Sequence, residues 1–137
     1  MAKTFTVEGD VTSADARTLL TTQGSVTAPS SVVPAGMSKI DKIIIAGTSE
    51  GLADGAQTLF IRLGGNAVKN GEQSIAVSGM GRVAPQAGSD SAPQLMPALV
   101  LDNMDIEVGP SDTLTVAAEG AGTDTGTIHI AVTLVYA

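Results

Sequence analysis

Apolar and polar residues alternate with a period of two along most of this chain, and clusters of Gly, Pro, Asp and Ser interrupt the alternation at short intervals. A period of two puts successive side chains on opposite faces of an extended strand, so the pattern predicts an all-β, antiparallel β-sandwich built from eight or nine strands. The cleanest candidates are residues 57–63, 113–119 and 127–136. Their predicted core rows are Leu59, Ile61 and Leu63; Leu114, Val116 and Ala118; and Ile128, Ile130, Val132, Leu134 and Tyr136. In the first of these, Thr58, Phe60 and Arg62 point outward. Residues 4–8 place Phe5 and Val7 on one face, and residues 73–78 do the same with Ile75 and Val77.

Residues 38–47 are apolar on both faces, with Ile43 and Ile45 pointing one way and Ile40, Ile44 and Ala46 the other. That pattern predicts a central strand covered on both sides. Turns are expected at Pro34-Ala35-Gly36, Gly64-Gly65-Asn66, Lys69-Asn70-Gly71 and Gly109-Pro110-Ser111-Asp112, because these residues supply fixed or positive φ angles. Residues 25–33 read as extended and broken by Pro29, and residues 98–108 as a strand kinked at Asp102-Asn103. Between residues 10 and 20 the signals compete: Thr12 or Ser13 caps a short helical turn through Asp15-Ala16-Arg17, or residues 17–22 form a strand. Residues 79–97 hold three prolines and three glycines and show no period. A loop of that length in a compact domain is usually functional or ordered by a neighbour, which makes Val83, Leu95 and Met96 the expected interface residues.

Composition narrows the function. The chain has 137 residues, enough for one domain over 1–137, and no cysteine, so neither disulfides nor thiolate metal sites arise. Charged residues are only 15% of the chain, against about 25% in ordinary globular proteins, so Ala, Gly, Ser and Thr must cover much of the exterior. Such a skin can be buried against neighbours without stranding charges. Phe5, Phe60 and Tyr136 are the only aromatics, too few for base or sugar stacking. The net charge of −7 and seven scattered basic residues argue against direct nucleic-acid binding. No apolar run approaches the roughly 18 residues of a membrane span, and Met1-Ala2-Lys3-Thr4-Phe5 leads into alternation without a signal-peptide core.

Catalytic chemistry has little to work with. His129 is the single histidine, which excludes a multi-histidine metal site and leaves any Ser/His/Asp triad dependent on it; a lone strand histidine reads as a surface or hydrogen-bonded residue. Asp102, Asp105 and Glu107, with loop residues Asp112 and Asp124, carry oxygens suited to Ca²⁺, but their spacing matches no EF-hand loop and they read as solvated. Gly64-Gly65 and Gly79-Met80-Gly81 lack the context of a phosphate-binding loop. The expectation is no enzyme, with no catalytic, cofactor-binding or metal-ligating residues.

Eight short strands with Greek-key-length connections fit an eight-stranded jelly roll. Val33-Pro34-Ala35-Gly36-Met37-Ser38-Lys39-Ile40 leads into Ile43-Ile44-Ile45 as a turn enters a mid-barrel strand. The stretch from Ile106 to Val116, followed by Gly126-Thr127-Ile128-His129-Ile130-Ala131-Val132-Thr133-Leu134-Val135-Tyr136, is similar to the last two strands of small viral capsid jelly rolls. Over 33–136 the chain thus resembles single jelly-roll capsid proteins, in particular those of the prokaryotic virus lineage with upright barrels and an internal membrane. The resemblance implies a structural subunit of a self-assembling shell, made in the host cytoplasm and resident in the virion. Its partners would be copies of itself and other coat subunits, around a possible internal membrane. It implies no cofactor. The alternatives are a virion decoration or cement protein and a soluble ligand-binding β-sandwich module.

Overall fold

In a computed structural model, the described residues are 3–12, 18–22, 30–50, 57–80, 94–95, 98–120 and 127–137. Among them are twelve strands and no helix. These are β1 (Lys3–Thr12), β2 (Thr18–Leu19), β3 (Thr21–Thr22), β4 (Ser30–Val32), β5 (Lys39–Glu50), β6 (Gln57–Gly64), β7 (Gln73–Met80), β8 (Gln94–Leu95), β9 (Leu99–Leu101), β10 (Ile106–Glu107), β11 (Thr113–Gly120) and β12 (Thr127–Tyr136). Eight of the twelve are three residues or longer.

The strands form two antiparallel sheets. The first runs β10-β5-β12-β1-β3, with β8 and β9 also on β5; the second runs β2-β11-β6-β7, with β4 also on β11. With β2 and β4 grouped by their shared partner β11, β8, β9 and β10 grouped by their shared partner β5, and the two-residue edge piece β3 on β1 set aside, eight groups remain. Their order is then first-eighth-third-sixth in one sheet and second-seventh-fourth-fifth in the other. First pairs with eighth, second with seventh, third with sixth and fourth with fifth, as happens when one long antiparallel hairpin is rolled around a core. This is the jelly-roll order.

The alternation read from the sequence explains the packing. Leu59, Ile61 and Leu63 from β6, Leu114, Val116 and Ala118 from β11, and Ile130, Val132, Leu134 and Tyr136 from β12 are all buried in one apolar cluster with Val7 and Val11 of β1. The expected turns form as well. Met37 N–H donates to Pro34 O at 3.2 Å and Gly71 N–H to Val68 O at 3.3 Å, with Gly36 and Gly71 at φ of 85° and 86°. The kink after β9 places Asn103 and Asp105 at φ of 53° and 52°, where short polar side chains tolerate the left-handed region.

Two expectations need correction, and a third is tested only in part. Ile40 belongs to the core face with Ile43 and Ile45, because the ladder between β5 and β12 skips a residue: Tyr136 faces Ile40 while Val135 faces Lys42. This bulge at Asp41 reverses the alternation, so Ile44 and Ala46 lie half-buried on the outer face without Ile40. Next, residues 10–12 continue β1 and residues 18–19 and 21–22 are strand, in line with the strand reading of 17–22; the helical turn through Asp15-Ala16-Arg17 falls on residues 13–17, which lie outside the described residues. Leu20, between β2 and β3, carries the chain from one sheet to the other. Its N–H donates to Val116 O at 2.8 Å and its buried side chain fills the space above Gly9, where a Cβ would meet it at 2.9 Å. Finally, the long 79–97 loop is shorter than expected, since β7 extends to Met80 and Leu95 pairs with Thr48 in β8; Val83 and Met96 lie outside the described residues.

The turn from β6 toward β7 is tied under the sandwich. Ala67 N–H donates to Thr113 O, Gly109 N–H donates to Ala67 O, and Val68 bridges Val108. Gly65 enters this turn at φ 90°, with its Cα so close to β11 that a Cβ would lie 2.5 Å from Thr113 O. Gly36 has a similar φ but nothing within 4 Å. Gly36→Ala should therefore cost about 1 kcal/mol of backbone strain. Gly65→Ala should cost distinctly more, because backbone must also move. Chemical denaturation of both variants checks the order, and equal losses would refute the close approach.

Candidate functional site

The outer face of the first sheet is set by the same registers that build the core. Residues directly opposite in an antiparallel ladder share a face, so the strands β1, β12, β5 and β9 lay out four rows. Thr4, Val135 and Lys42 form one row; Thr6, Thr133, Ile44 and Val100 the next; then Glu8, Ala131 and Ala46; and last Asp10 and His129, in register with Thr48 of β5 and Leu95 of β8. The middle rows are small, hydroxylic or aliphatic. Val100 is 53% exposed, while Ile44, Ala46, Ala131, Thr133 and Val135 are half-buried by one another. The hydroxyls of Thr6 and Thr133 hydrogen-bond across the ladder at 2.9 Å, so one of their two O–H donors is already matched before any neighbour covers them.

At the end of this face His129 Nδ1 lies 2.6 Å from Asp10 Oδ1, with both side chains substantially exposed. An ion pair open to water contributes at most about 1 kcal/mol. The contact fits a hydrogen-bonded surface histidine.

Among the described residues the acidic side chains do not gather, and Asp124 lies outside those residues. Asp105 faces Lys39 at 3.7 Å, and Asp102 accepts the N–H of Asn103 at 3.0 Å. No group of three or more His, Asp or Glu side chains that could hold a metal occurs among the described residues. A shallow, open hollow of about 130 Å³ lies beside Asn70, Gln73, Met104, Asp105 and Glu107, smaller than the several hundred Å³ of ordinary ligand pockets. Of the expected interface residues, Leu95 sits at the edge of the first sheet, and the structure brings it into register with the His129 row.

On the second sheet, Arg62 carries the charge that the sequence left unplaced. Its Nε donates to Glu119 Oε2 at 3.1 Å, Nη2 also reaches that oxygen, Nη1 donates to Ser74 Oγ, and the guanidinium lies 5.1 Å from the Phe60 ring centroid. Arg62 and Glu119 are half-buried, on adjacent strands β6 and β11, and the pair neutralises the middle of that outer face. The signal was present in the sequence as Phe60 and Arg62 at a spacing of two, but the partner strand was not.

No protein-family model matches the chain, and no curated protein matches it. The class that the fold defines is an all-β sandwich of two antiparallel sheets.

Tyr136 is the polar group most out of place. It is 1% exposed at the inner end of β12, its hydroxyl has no hydrogen-bond partner among the described residues, and burial pushes its pKa up to about 12. The raised value means that the folded state holds the phenolic proton more tightly than the unfolded chain does. Stability is therefore full below pH 10 and falls as pH rises from 10 toward 12, by up to about 3 kcal/mol. Tyr136→Phe should abolish that alkaline loss and be at least as stable as the parent at pH 7, since an unpaired buried hydroxyl costs about 1–3 kcal/mol. Denaturation at pH 7 and pH 11 tests both, and a destabilised Phe variant would mean the hydroxyl has a partner. His129→Gln should change stability by less than about 1 kcal/mol. A larger loss in the same measurement would give the Asp10 contact more than a surface role.

Proposed function

We propose that this protein is a structural subunit of a self-assembling shell, most specifically a viral capsid protein, and not an enzyme. The observation that carries the reading is the outer face of the first sheet, whose two middle rows hold a single charge, Glu8, among Thr6, Thr133, Ile44, Val100, Ala131 and Ala46. A solvated sheet face normally alternates strongly polar residues against the core row. Thr, Ala, Val and Ile in those positions keep the strand soluble yet allow a flat neighbour to cover it with little desolvation cost. The partners in this reading are further copies of the chain and other coat subunits, and the acidic net charge suits a coat that does not itself neutralise a genome.

Supporting this, the two sheets enclose a continuous apolar core. The jelly roll adds a fold-level analogy, since viral coats are among its common uses. A virion location follows from the reading and stands or falls with it.

Purified protein should sediment as oligomers or particles at micromolar concentration. The association should survive molar sodium chloride, because screening weakens exposed charge pairs but leaves apolar burial intact. Sedimentation velocity with and without salt, followed by negative-stain imaging, decides the matter. A monomer at every concentration, in either buffer, would sink the proposal.

A further inference from the structure

Only one strand of eight or more residues has a whole side unpaired among the described residues: β7, which pairs with β6 and with nothing beyond it. Its sequence, Gln73–Met80, contains no charge and no proline. Natural proteins usually blunt an open edge with lysines, prolines, bulges or short length. Here the single irregularity lies where the β6 ladder slips between Gln57 and Leu59, opposite Met80 and Val77, which places the extra residue at positions 78–79. The stretch from residue 73 to residue 77 is left as an uninterrupted ladder centred on Ile75.

We propose that this edge pairs antiparallel with β7 of a second copy of the chain, across a two-fold axis at Ile75, joining the second sheets of two subunits into one. The proposal rests on the self-assembly reading and names one of its contacts. The occupant is argued from charge. Every copy carries −7, so approach is opposed wherever carboxylates face carboxylates. In the two-fold register Ile75 faces Ile75, Ser74 faces Ala76, and Gln73 faces Val77, so no charge meets another. Glu72, the nearest carboxylate in sequence, falls opposite Ser78 and not opposite its own counterpart. The adjacent charge on β6, Arg62, is already engaged by Glu119 and Ser74 within its own subunit. Ile75 is half-buried against the core, and the partner's Ile75 would cover its remaining surface. A self-complementary patch of this kind is what an isologous contact requires.

The absence of native cysteine makes the register directly readable. Directly opposed residues in an antiparallel pair have Cα atoms about 4.5–5.5 Å apart, within disulfide reach. Position 76 would lie about 8 Å from its own counterpart, beyond that reach. Under mild oxidation Ile75→Cys should convert to covalent dimers while Ala76→Cys stays monomeric on a non-reducing gel. In parallel, Ala76→Lys should weaken association about tenfold or more by sedimentation, because it puts a long charged side chain with no acidic residue opposite it into each half of the contact. Its monomer melting temperature should be unchanged, since Ala76 is exposed. If the parent associates but Ile75→Cys gives no dimer, or Ala76→Lys associates as the parent does, the edge contact is wrong and the shell reading stands. If the parent never associates, both fall.

Discussion

Everything in this fold depends on β12 holding two partners at once, β1 on one side and β5 on the other, each through a ten-residue register. Because strand side chains alternate, those two registers decide together which residues of three strands face the core. Ile130, Val132 and Leu134 then stack with Val7, Ile43 and Ile45, at about 1.5–3 kcal/mol for each large side chain fully buried. A slip of one residue in either ladder would turn a whole row to solvent, so no near-native alternative competes. The same constraint composes the outer face: once the inner row is fixed, Thr133, Ala131 and Val135 have nowhere to be but outside.

That coupling explains which features were legible beforehand. Residues 59–63, 114–118 and 130–136 alternate without a break, and each strand lies where the pattern put it. Turns with glycine at positive φ were equally plain, since Gly36, Gly65 and Gly71 supply what other side chains resist. Ile40 was assigned to the wrong face because the bulge at Asp41 carries no local signature; it is imposed by where Tyr136 and Val135 must land on β5. The piece at 94–95 was unreadable, and that at 18–22 legible only as one of two competing readings, for a related reason. Two residues are too few to show a period, and their strand character comes from the long neighbours they rest on.

The candidate surface was visible only as a quantity. Low charge density said that the exterior had to be plain, but it could not say that the plain residues fall together on β1, β12, β5 and β9 while the charges of β6 and β11 cancel each other. Arg62 and Glu119 are 57 positions apart in the chain, and only the ladder between their strands makes them neighbours. The acidic residues after β9 show the opposite case. They are close in sequence, yet the left-handed turns at Asn103 and Asp105 direct Asp105 toward Lys39 on another strand.

The pairing of Lys3 with Tyr136 also has a kinetic meaning. β12, the main partner of β1, is made only after β2 to β11, so β1 waits through their synthesis with no more than the two residues of β3 beside it. Non-local ladders of this kind fold slowly, because the entropy of closing a long loop is lost before any contact returns it. During that wait β1 and β5 lack the strand that joins them, which makes the newborn chain, more than the finished subunit, the form most exposed to aggregation.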